Sequence, residues 1–96
     1  MSILVTMQVG PVDWTKFKAA SDRFRNDSPP GNLYSRTYRM QGDPSRVMVV
    51  EEWDSHDAMH AYQEKVGDDF NRLAGTEGLD WQVALWELAD EMAPPR

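Results

Sequence analysis

Glu51 and Trp53 stand two residues apart at the end of an apolar run, Val47-Met48-Val49-Val50, and alternate residues of an extended chain share a face. A carboxylate can take up a proton, and an indole offers a broad ring face with one N–H donor. A second extended run, Leu33 to Met40, carries Tyr34, Arg36 and Tyr38 at the same period. If the hairpin joining the two runs turns symmetrically about Asp43-Pro44, Arg36 lies opposite Glu51, Tyr38 opposite Val49 and Tyr34 opposite Trp53. That register predicts three rings, Tyr34, Tyr38 and Trp53, able to hold a flat ligand. The same register also fits a cross-strand ion pair with aromatic packing.

Further along, Tyr62 brings a phenol that either donates to a bound molecule or fills the core. Trp14, Phe17, Phe24 and Phe70 are expected to pack, with Phe70 also assigned to ligand contact. His56 and His60 lie one helical turn apart and in principle share a metal, but no neighbouring carboxylates or cysteines complete a set, so surface histidines and no metal site are expected. The chain has no cysteine, which excludes a disulfide frame, a thiolate metal site and a cysteine nucleophile. Phosphate loop, nucleophile elbow and dinucleotide fingerprint are all missing.

Side chains with such duties need elements to carry them. Ile3 to Val9 reads as a strand stopped by Gly10-Pro11, and Asp13 caps a helix with Trp14, Phe17, Ala20 or Ser21, and Phe24 on one side. Asn26-Asp27-Ser28-Pro29-Pro30-Gly31 ends that helix. Leu33–Met40 and Val47–Trp53 form a hairpin about Gln41–Ser45. Ser55 caps a second helix bearing Ala58, Met59, Tyr62 and Val66, which Gly67 interrupts; a short helix through Phe70, Leu73 and Ala74 follows. Leu79 to Leu88 reads as the last strand. The order β-α-β-β-α-β is the split βαβ arrangement: an α+β, ferredoxin-like, four-stranded antiparallel sheet with helices on one face. Residues 1–92 form one domain and 93–96 a frayed tail.

The strands are apolar on both faces: Val47-Met48-Val49-Val50 in one, and Trp81, Val83 and Leu85 against Ala84, Trp86 and Leu88 in another. Helices cover one face, and a homodimer through the other is the economical cover. Four Trp, three Phe and three Tyr in 96 residues are a large aromatic load for one core, which fits either a ring-lined pocket or a buried subunit face. The net charge of −6 repels nucleic-acid phosphates and anionic membranes alike, so neither is an expected partner. Without a basic leader or an apolar span, a soluble cytoplasmic protein is expected.

The run from Val49 to Tyr62 resembles the antibiotic biosynthesis monooxygenase family, whose members commonly show an apolar strand ending in Glu-x-Trp-x-Ser, then a helix with Ala three residues after the Ser. Here these are Glu51, Trp53, Ser55 and Ala58. The resemblance implies a dimeric α/β barrel. It also implies oxygen insertion into a small, hydrophobic, electron-rich aromatic with no cofactor, neither metal nor flavin. The catalytic residues it implies are Trp53, Arg36 and Glu51, with Arg36 polarising a phenolate or carbonyl oxygen and Glu51 acting as base unless Arg36 consumes it. In quinone-forming members an Asn precedes the motif Trp by four residues, where this chain has Val49. Haem-degrading members carry a first-strand Asn, a helix Trp and a haem-ligating His. The corresponding positions here are Gln8, Tyr62 and the run Phe70-Asn71-Arg72-Leu73-Ala74, which offers no axial ligand. The alternative is a non-catalytic dimeric barrel that binds a small hydrophobic ligand or serves a structural role. A cavity holding only one or two waters would favour it.

Overall fold

Six elements follow in the expected order: β1 (Ile3–Val9), α1 (Trp14–Arg25), β2 (Asn32–Met40), β3 (Asp43–Trp53), α2 (His56–Ala74) and β4 (Gln82–Trp86). The structure, a computed structural model, describes residues 2–27 and 29–92, so the tail expected at 93–96 lies outside the described residues. The strands make one antiparallel sheet in the order β2-β3-β1-β4.

Both helices start where a side chain can satisfy an orphan amide. Asp13 Oδ1 accepts from Lys16 N at 3.2 Å, and Ser55 Oγ accepts from Ala58 N at 3.1 Å. Their apolar sides cover one sheet face. There Phe17, Ala20 and Ala74 pack with Val9, Val47 and Val49, while Met59 packs with Val5 and Trp53. Alternation along β3 places Val49, Glu51 and Trp53 on this covered face and Met48, Val50 and Glu52 on the other. Small residues let α2 come close to the sheet. Gly31 has φ +87°, and a Cβ there would stand 2.7 Å from Ala58 Cβ.

Three expectations are corrected. Gly67 does not interrupt α2, which runs unbroken to Ala74; glycine costs a helix interior only about 1 kcal/mol, well within what tertiary packing overrides. The last strand is Gln82–Trp86 rather than Leu79–Leu88, because it pairs with β1 alone, from Leu4↔Trp86 to Gln8↔Gln82. The hairpin turns at Gln41-Gly42, with Gly42 at φ +86° and Met40 paired with Asp43, not about Asp43-Pro44. Irregular pairing between Arg39 and Met40 absorbs the extra β3 residues, so the register shifts by one. Ser35 now faces Glu51, Arg36 faces Val50 and Tyr38 faces Met48. A one-residue shift moves every side chain of β2 to the other face.

Candidate active site

The covered face does not close fully between the helices and β2. It leaves a cavity of about 550 Å³, far more than the roughly 30 Å³ of one water and within the range that holds a small organic ligand. Its walls are mainly apolar, with Met7, Val49, Trp53, Val66, Phe70 and Val83 among them. The aromatic cluster at one end is tightly knit. Phe70 lies edge-on to Phe17 at 5.5 Å between centroids, and 5.8 Å from Phe24. Phe70 is therefore both core and cavity wall.

Polar groups gather on the floor. The side chain of Glu51 reaches the cavity between two donors: Trp53 Nε1 donates to Oε1 at 3.3 Å, and Ser35 Oγ donates to Oε2 at 3.1 Å. The Trp53 side chain itself is fully buried. Burial raises the Glu51 carboxyl above the usual carboxylate range, and the Trp53 and Ser35 donors pull in the opposite direction without cancelling it. None of the salt bridges among the described residues involves Glu51. Each carboxylate oxygen has a second lone pair, so both donors leave room for a proton from a ligand.

Tyr62 stands above this floor, 5.7 Å from Trp53 between ring centroids, and its hydroxyl donates to the Phe24 carbonyl at 3.3 Å. Burial, aided by the nearby charges of Asp27 and Glu51, pushes its pKa up to about 12, so the phenol stays protonated at any working pH.

The predicted cluster is thus half assembled. Glu51, Trp53, Tyr62 and Phe70 share the cavity. Arg36 and Tyr38 do not join them, since the register puts both on the opposite, helix-free face. Tyr34 borders the cavity, but at its register position opposite Glu52 its ring carries the Arg36 guanidinium at 4.5 Å. The expected Arg36–Glu51 pair is therefore absent and Glu51 is left to its neutral donors. His56 and His60 are exposed and stack on one another at 6.0 Å, with His60 Nε2 3.1 Å from Glu64.

Sequence reasoning missed Ser35 and Asn32. A bulge at Leu33 pairs Asn32 with Trp53 and Tyr34 with Glu52, so Asn32 and Ser35 fall on the same face although three residues separate them. The Asn32 amide donates to the Tyr34 carbonyl at 3.2 Å and the Glu52 carbonyl at 3.4 Å, while Ser35 Oγ lies 3.4 Å from Asn32 Oδ1. The glycine of Gln41-Gly42 was the available signal for a tight hairpin and hence for Ser35.

A ferredoxin-like α+β domain with a ligand-sized cavity between helices and sheet, floored by a half-buried carboxylate, is the class of protein the fold and site define. The chain belongs to the antibiotic biosynthesis monooxygenase family, whose sequence profile matches residues 2–67. Among solved structures it is similar to SnoaB, a cofactor-independent oxygenase from Streptomyces nogalater. The TM-score is 0.74 at 15% identity, over 97% of both chains. A variant of SnoaB gives 0.76 at 14% identity, over 97% of this chain and 98% of that one. A conserved protein from Methanosarcina mazei gives 0.73 at 14%, over 90% and 91%. These identities speak for the fold alone. No curated protein matches the chain in sequence.

Proposed function

We propose that this protein is a cofactor-independent monooxygenase of a small hydrophobic aromatic that bears an acidic O–H or activated C–H. The observation that carries the proposal is the Glu51 carboxylate, half-buried on the floor of the cavity between Trp53 Nε1 and Ser35 Oγ. Family membership and the SnoaB-like fold support the reaction class. Glu51 takes a proton from the substrate, giving a delocalised carbanion. The carbanion passes one electron to O₂, the radical pair combines at carbon, and the resulting peroxide anion takes the proton back from Glu51 to give a hydroperoxide. For a methylene centre, loss of water then leaves a carbonyl, so one O₂ converts CH₂ to C=O plus H₂O. The protein's work is to deprotonate, hold the ring and keep water out. Trp53 fixes the carboxylate, Tyr62 offers a permanently protonated phenol nearby, and Phe70 supplies a ring face.

The functional unit is a homodimer through the helix-free sheet face. Met48 and Val50 line that face, and Tyr38, Met40 and Trp86 are each about half exposed on it. An apolar surface of this kind calls for a cover. No helix among the described residues is long and apolar enough to cross a membrane, and we assign the protein to the cytoplasm.

A ligand-binding barrel without catalysis is the second reading, favoured by Val49 at the position where quinone-forming members carry Asn. Incubation with dihydroxynaphthalene- and anthrone-like compounds under ¹⁸O₂ separates the two. The oxygenase gives a labelled carbonyl product under ¹⁸O₂ and no product under argon. Binding without any oxygen-dependent product contradicts the oxygenase and leaves the barrel.

A further inference from the structure

We infer that Ser35 is a positioning residue for Glu51, a hydroxyl rotor that serves the carboxyl group in both of its protonation states with Asn32 as its second partner. The inference rests on the base role proposed for Glu51 and extends it.

The geometry offers the Ser35 hydroxyl two acceptors: Glu51 Oε2 at 3.1 Å and Asn32 Oδ1 at 3.4 Å. A hydroxyl has one proton and two lone pairs, so it donates to only one of them at a time. With Glu51 ionised, the shorter, charge-assisted bond to Oε2 wins. When the substrate gives its proton to the carboxylate, the products are the substrate anion and a neutral carboxyl group. That carboxyl group has a proton to place. Oε2–H then donates to Ser35 Oγ, and the Ser35 hydroxyl turns to Asn32 Oδ1. Trp53 Nε1 keeps its bond to Oε1 throughout.

Asn32 is held in the one orientation that allows this. Its Nδ2 donates to the carbonyls of Tyr34 and Glu52, and a flipped amide would set its own oxygen against both. The Leu33 bulge is what brings Asn32 beside Ser35, because strict alternation would separate them. The Glu51 carboxyl group therefore keeps Trp53 and Ser35 as partners before and after proton transfer, without moving, and Asn32 Oδ1 takes up the Ser35 proton only after it. A proton turned toward Ser35 also points away from the substrate anion, which slows its return while the anion meets O₂.

Other charged and titratable groups near this floor are Tyr34 of β2, Tyr62 of α2, Arg25 at the end of α1 and Asp27 just beyond it. On this face β1 and β4 contribute Val5, Met7 and Val83, none of which titrates.

The test is a pH titration of the full-length protein by NMR, without substrate, following the Glu51 carboxyl ¹³C and the Asn32 side-chain amide together. In the wild type, both signals move with one midpoint. Ser35→Ala shifts the Glu51 midpoint upward, since the ionised form loses a donor, and cuts the Asn32 response by roughly half or more. Ser35→Thr restores both, and Ser35→Cys, nearly the same shape but a weak donor, moves both in the direction of Ser35→Ala. An Asn32 response that is unchanged in Ser35→Ala, a Glu51 midpoint that does not move, or a Thr variant that restores neither signal overturns the inference. Because the free protein is titrated, a failed search for oxygenase activity and a failed rotor are separate results.

Discussion

Trp53 Nε1 donates to Glu51 Oε1 at 3.3 Å, a bond between two residues of one strand whose side chains rise on the same side of the sheet. The indole is fully buried while the carboxylate reaches the cavity. The family motif Glu-x-Trp thereby acquires a physical role: period-two geometry turns a spacing in sequence into a hydrogen bond that orients the carboxylate.

Trp53→Phe removes the donor and keeps most of the ring. The Glu51 pKa rises further, so the acid limb of the pH–rate profile moves to higher pH. Stability falls by roughly 1–3 kcal/mol from the lost bond and the smaller side chain. Denaturant midpoints and pH–rate profiles read the two effects separately. An unshifted acid limb would mean that the indole acts only by packing.

Glu51→Gln tests the burial of the carboxylate without any substrate. Its folded pKa is raised, chiefly by burial, above an unfolded value of about 4.3. Below that value both states hold the proton and Glu51 costs nothing. As pH climbs from there through the folded pKa, the unfolded chain gives up its proton first, and the wild type loses stability. The stability of Glu51→Gln relative to wild type therefore increases from pH 4 to pH 7 in urea titrations. A flat difference would contradict a raised pKa. Asp22, whose carboxyl the Lys18 ammonium lowers, behaves alike in both proteins and drops out of the comparison.

Much of this was legible in the sequence, and the exceptions have causes. The element order, both helix caps and the shared face of Val49, Glu51 and Trp53 follow from periodicity and capping chemistry. The β2 face did not. Tyr34, Arg36 and Tyr38 look like the inward set because rings usually seek a core. The structure instead turns Ser35 and Thr37 inward, which leaves space beneath the helices that larger side chains would fill. Two local irregularities, the tight turn at Gly42 and the uneven pairing between Arg39 and Met40, decide that outcome. Neither leaves a trace in hydrophobic periodicity, and a shift of one residue is enough to exchange the faces.

Gly31→Ala should destabilise the junction of β2 and α2. The residue has φ +87°, and the added Cβ meets Ala58 Cβ and Asp54 Oδ1, each at 2.7 Å. Left-handed strain and overpacking together predict a loss of roughly 2–4 kcal/mol by urea denaturation. Adding Ala58→Gly relieves one of the two clashes, so the double variant recovers part of the loss. Strict additivity would show that the close approach is not the cause.

Val50→Lys places an ammonium on the helix-free face, at the register position of Thr6 and the like-charged Arg36. A charge buried without a partner in the dimer is strongly unfavourable, so sedimentation should fall from two 11.0-kDa chains to one. A wild type that already sediments as a monomer contradicts the assembly proposed above.

The most direct measurement is the rate of O₂ consumption with a dihydroxynaphthalene or anthrone substrate, wild type against Glu51→Gln, at equal substrate occupancy. A base in that position predicts one O₂ taken up per carbonyl formed, and a fall in kcat of about 10²–10⁴-fold in the variant with binding retained. Wild-type turnover by Glu51→Gln, or no O₂ uptake by either protein, would contradict it.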